Sequence, residues 1–158
     1  MRKSIISQDP HGAMPSGLDW LDLNALARAE LTSEDAAYPL ESALKPDSGP
    51  GWRASEPGRQ TVRLLFDQPL RVKRVHLTFR EEERARTQEF ILRWSSGASG
   101  AYKDIVRQQY TFSPPDNTRE IEEYDVDLAG LTGLEITISP DIGGGSARAS
   151  IAALRLAS

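Results

Sequence analysis

An antiparallel all-β sandwich of jelly-roll type, with one short helix near the N-terminus, is the fold class that three observations predict. Apolar residues alternate with polar ones over most of the chain after residue 60. Gly, Pro, Ser and Asn clusters interrupt that alternation at short intervals. No long helical period separates the alternating segments, so a layered arrangement of sheets is expected rather than helix-covered parallel strands.

The elements follow in order. Residues 1–17 carry polar and turn-forming types and read as a tail or a strap across the domain edge, leaving 18–158 as one domain. Leu18 to Ala29 reads as a short turn entering a strand. Pro39 to Leu44 reads as a short helix, with Ser33 as a cap and Pro39 at an early helical position. The Pro- and Gly-rich stretch from Lys45 to Gly51 is an irregular loop ahead of Trp52.

The period then becomes two. Val62, Leu64 and Phe66 share one face, followed by Val75, Leu77 and Phe79, and by Phe90, Leu92 and Trp94. Further strands are expected at Val106–Phe112, Tyr124–Leu128, Leu134–Ile138 and after Ile151, with turns at Asp67-Gln68-Pro69, Ser95-Ser96-Gly97, Ser113–Asn117, Gly130, Gly133 and Gly143–Ser146.

This order of features resembles the galactose-binding-like jelly roll, the fold of discoidin or coagulation-factor C-type domains and of many bacterial carbohydrate-binding modules. The resemblance runs from about Ala29 to Leu156. It rests on the polar Ser33-Glu34-Asp35 loop, the helix ending Ala43-Leu44, Gly51-Trp52-Arg53-Ala54, the strands at 60–67 and 72–77, and the last strand through Ile151–Leu156. It implies a non-catalytic binding module. It also implies, for some members, a calcium ion held by oxygens near the first strand and an acid in the last strand. Residues 150–158 contain no Asp or Glu, so no metal or other cofactor is expected, although Ser33, Glu34, Asp35, Glu41 and Asp47 carry ligand oxygens.

Composition excludes several other classes. The 158-residue chain has a formal charge of −4, so no global field draws it to nucleic acid or to an anionic membrane surface. It has no cysteine and no apolar run of signal-peptide or membrane-spanning length, which makes the cytoplasm the expected location. Its two histidines, His11 and His76, are too few for a histidine-rich metal centre, and an enzyme is not expected. A hydrolase reading would fall back on Glu89 or Asp141.

Two polar segments remain. By alternation Gln88 points with Phe90 and Leu92, and Gln108 with Val106, Tyr110 and Phe112, so both amides face the apolar side. Buried amides need partners. One reading is a core-edge network with arginines paired to Glu89, Glu120 or Glu122. The other is a cleft completed by a carbohydrate or another polyhydroxylated ligand, with Trp52, Arg53, Arg86, Gln88, Arg107 and Gln109 as binding residues and an aromatic ring stacking on the sugar. The run Arg80–Arg86 mixes signs and reads as a solvated loop. The competing function is a protein-interaction domain of the same fold, in which a partner would cover Trp52.

Overall fold

Gln60, Val62, Leu64 and Phe66 fall on the buried side of one strand, and their neighbours Thr61, Arg63 and Leu65 are only half covered, so the period-two pattern translates directly into a sheet with one wet face. The computed structural model describes residues 19–45, 49–97 and 100–158. The expected tail over 1–17, His11 and Asp47 lie outside the described residues.

Among the described residues two short helices occur where one was expected: α1 at Leu23–Leu26 precedes strand β1 (Ala27–Leu31), and α2 spans Leu40–Leu44. Ser33 does not cap α2. Its hydroxyl donates to Gln60 Oε1 at 2.7 Å and accepts from the Ser55 N–H, while Glu34 Oε1 takes the Leu40 N–H at 2.6 Å. Pro39 is the N-cap residue. The remaining strands are β2 (Trp52–Arg53), β3 (Gln60–Arg80), β4 (Arg86–Ser95), β5 (Lys103–Phe112), β6 (Arg119–Ser139), β7 (Ser150–Ile151) and β8 (Ala153–Ala157).

β3 and β6 each merge two segments expected to be separate strands. The signals at Asp67-Gln68-Pro69 and at Gly130 mark ladder irregularities rather than hairpins. From Leu65 to Leu70 on β3 the partner advances only from Gly133 to Leu131, and Asp67, Gln68 and Pro69 bulge into solvent. Pro69 has no N–H to give a ladder, and Gly130 takes the positive φ of 73° that such a break tolerates.

Each long strand therefore serves two layers. Residues 60–66 of β3 lie between β1 and residues 133–138 of β6, which continue through β4 to β5. Residues 74–78 of β3 lie between β8 and the first half of β6. All of these pairings are antiparallel, and β2 pairs with β7 beside them. The apolar faces meet in one core, in which Phe79 from the narrower layer packs at 5.1 Å between ring centroids against Phe90 from the wider one.

Candidate functional site

Gly51 fixes the first wall of a cleft at one end of the sandwich. Its φ is +85°, and a Cβ there would come within 2.4 Å of the Ile151 carbonyl oxygen, so only glycine lets this segment lie against β7. That approach drives Trp52 inward, where it is 1% exposed and its indole N–H donates to the Ser33 carbonyl at 3.2 Å. The expectation that Trp52 stacks on a ligand is corrected by this burial: the ring belongs to the core, and the chain itself already covers the surface a partner would have covered. Arg53, the next residue along β2, points the other way into solvent with its guanidinium 4.2 Å above the Tyr38 ring.

The run Arg80–Arg86 supplies the second wall, and it is not a uniformly solvated loop. Glu82, Glu83 and Arg84 are exposed, but Arg86 opens β4 with its side chain 1% exposed. Its Nε donates to Glu81 Oε1 at 2.7 Å, its Nη1 to the Pro140 carbonyl at 2.7 Å and to Gln88 Oε1 at 3.3 Å, and its guanidinium covers the Phe112 ring at 4.7 Å. Burial opposes ionisation of Glu81, yet the hydrogen bonds from Arg86 and from the Glu83 backbone outweigh it and hold this carboxyl below the usual glutamate range. The third wall is the 146–152 segment, tied to the second by Arg84 Nη1 donating to Ser146 Oγ at 3.2 Å.

These walls enclose two adjoining lobes of about 210 Å³ each. Arg53, Arg80, Glu81 and Glu83 line both. The first lobe adds Arg84, Arg86 and Arg148, and the second adds Tyr38, Pro50 and an edge of Trp52. Five guanidinium groups thus meet three carboxylates, counting Glu82, in a chain whose formal charge is −4.

Behind the cleft a polar string runs inward from Arg86. Gln88, wholly buried, donates to Glu120 Oε1 at 3.1 Å, and Tyr124 donates to Glu122 Oε2 at 2.9 Å. Glu120 is 2% exposed, and among the described residues its Oε2 is a buried oxygen without a partner. Burial, together with the adjacent Glu122 carboxyl, pushes its pKa up to about 8. A carboxyl that keeps its proton avoids the cost of a buried, half-paired anion.

The six residues picked from the sequence do not converge on one cleft. Trp52, Arg53 and Arg86 reach it, Trp52 and Arg86 only as backing. Gln88 sits behind it as part of the string. Arg107 and Gln109 lie on the outer face of the wider layer, where Arg107 pairs with Glu89 at 3.0 Å and Gln109 donates to the same carboxylate at 2.9 Å. Gln108 is exposed on β5, the edge strand, which pairs with β4 alone. Tyr38, Arg80, Glu81, Glu83 and Arg148 were not picked out. The one available signal was the concentration of arginine in 80–86, at Arg80, Arg84 and Arg86.

Other candidate groups are occupied by local bonds. Asp35 Oδ1 accepts from the Ala37 N–H, and Asp141 Oδ1 from the Gly143 N–H. His76 bridges Glu123 at 2.9 Å and Thr78 at 3.0 Å on the outer face of the narrower layer. Among the described residues no group of three or more acidic, histidine or cysteine side chains is placed to hold a metal ion. No described helix is long and apolar enough to cross a membrane.

No protein-family model matches the chain, and no curated protein matches it in sequence. Its fold is matched by solved structures. The family 32 carbohydrate-binding module of NanJ from Clostridium perfringens, solved with galactose, is 17% identical with a TM-score of 0.65, over 89% of this chain and 99% of that one. A second family 32 module from Clostridium perfringens, solved with GalNAc-β-1,3-galactose, is 15% identical with a TM-score of 0.62, over 89% and 100%. An F5/8 type C domain from Bacteroides fragilis is 12% identical with a TM-score of 0.61, over 91% and 98%. The chain shares the jelly-roll fold of these domains, and identities this low speak for the fold alone.

Proposed function

We propose that this chain is a non-catalytic binding module that takes a carbohydrate or another polyhydroxylated ligand in the two-lobed cleft at the end of the sandwich. The observation that carries the reading is the cleft's composition. Guanidinium donors and carboxylate acceptors, suited to hydroxyl groups, stand beside a partly apolar wall of Tyr38 and Pro50 on a rigid strand scaffold. The galactose and GalNAc-β-1,3-galactose bound by two modules of the same fold support the ligand class. Catalysis has no comparable support, since Glu81 is committed to Arg86 and His76 lies on the outer face of the sheet.

A protein-partner reading gains no specific observation. The exposed large hydrophobic residues among those described are Leu26 on α1, Ile121 on β6 and Ile142 in the turn after β6. A saccharide array followed by calorimetry tests the proposal. At least one saccharide class is expected to bind, with affinity reduced about tenfold or more by Arg53→Ala. Failure of every saccharide to bind would overturn it.

A further inference from the structure

Resting on that reading, we propose that the ligand is an acidic saccharide whose uronate carboxylate is held between Arg53 and Arg80. Most of the cleft's guanidinium groups have work inside the protein. Arg86 is held by Glu81, Gln88 and the Pro140 carbonyl, Arg84 bonds Ser146, and Arg148 lies 3.9 Å from Asp35. Arg53 and Arg80 differ. Both are exposed, both line both lobes, and among the described residues neither has a carboxylate within 4.0 Å; the Arg53 guanidinium rests on the Tyr38 ring.

Two like charges that line the same two lobes without a close counter-ion are relieved by an anion between them. The planar guanidinium fork matches a carboxylate with two parallel hydrogen bonds. Glu83, which lines both lobes, and Glu82, which lines the second, narrow the class further. They accept hydrogen bonds from hydroxyl groups, which a saccharide ring presents around its carboxylate. A carboxylate set on a ring of hydroxyl groups satisfies both the guanidinium and the carboxylate groups of the cleft.

Calorimetry on the full chain with a galacturonic acid trimer, and with the same trimer after its carboxyls are reduced to alcohols, separates the claims. The acidic trimer is expected to bind at least about tenfold tighter than the neutral one, with the gap shrinking at high ionic strength. Arg53→Ala/Arg80→Ala is expected to erase the gap, Arg80→Gln alone to reduce it, and Arg107→Ala, on the outer sheet face, to leave it intact. Thermal melts of the variants matching the parent confirm that folding is retained.

Equal affinity for the two trimers would overturn this inference and leave the binding reading standing. A preference that survives the double substitution would overturn the assignment to Arg53 and Arg80. Binding of neither trimer overturns the inference, and the binding reading falls with it only if the whole saccharide array is also silent. Tighter binding of inorganic phosphate or of a single-stranded oligonucleotide than of the acidic trimer would also overturn the inference.

Discussion

The two sides of β4 carry the same chemical vocabulary and put it to different uses. On the inner side Arg86 and Gln88 are sealed under the cleft, each bond partner fixed by the fold. One residue away, on the outer side, Glu89 holds Arg107 and Gln109 of β5 in the open, with the Arg107 side chain 61% exposed. Arginine, glutamine and glutamate at neighbouring positions look alike as a list of residues. Their alternation across the sheet decides which set becomes architecture and which a solvated cross-strand pair.

That contrast sets the order of expected effects. Arg86→Ala removes one member of a buried ion pair and strands Glu81, Gln88 and the Pro140 carbonyl, so urea unfolding is expected to show a loss of about 3–5 kcal/mol. A loss below about 1 kcal/mol would put the inner set on the same footing as the outer.

The next effect is a pH dependence. Glu120 keeps its proton in the folded chain up to about pH 8, whereas the unfolded chain releases it near the ordinary value of 4.5. Between those values the folded state binds more protons, so stability falls as pH rises, and below 4.5 the contribution is fully present. The groups facing Glu120 act on this in opposite directions: Glu122 raises its pKa, while Gln88 and Arg86 of β4 lower it. Glu120→Gln is expected to flatten this part of the stability profile, as read by unfolding midpoints across pH. An unchanged slope would assign the dependence elsewhere.

The smallest effect is expected from Arg107→Ala, at about 0.2–1 kcal/mol by the same unfolding measurement, because the pair it breaks stands largely in water. A larger loss would give the outer face a structural weight that its exposure does not suggest.

The fold was legible because it rests on a local signal. Val62 to Phe66, Val75 to Phe79 and Phe90 to Leu92 all bury the side that alternation assigns them. Turn chemistry was read less well, since Pro69 and Gly130 serve equally as hairpin residues and as bulge residues, and only the partner strand distinguishes the two. The cleft was legible in part. Arg53 and Arg86 were found, but Tyr38, Arg80 and Arg148 come from segments far apart in sequence, and no spacing rule joins them. Trp52 misled because a tryptophan after a glycine-rich loop looks presented, when Gly51 in fact turns it inward.

The unbroken passage of β3 and β6 through both layers has a mechanical consequence. Neither layer can peel away from the other without rupturing the ladders they have in common, so the sandwich is expected to open in a single cooperative event. Amide protons at both ends of residues 60–80 would then exchange by the same global opening, and the loops around the cleft would keep their spacing until the whole molecule lets go.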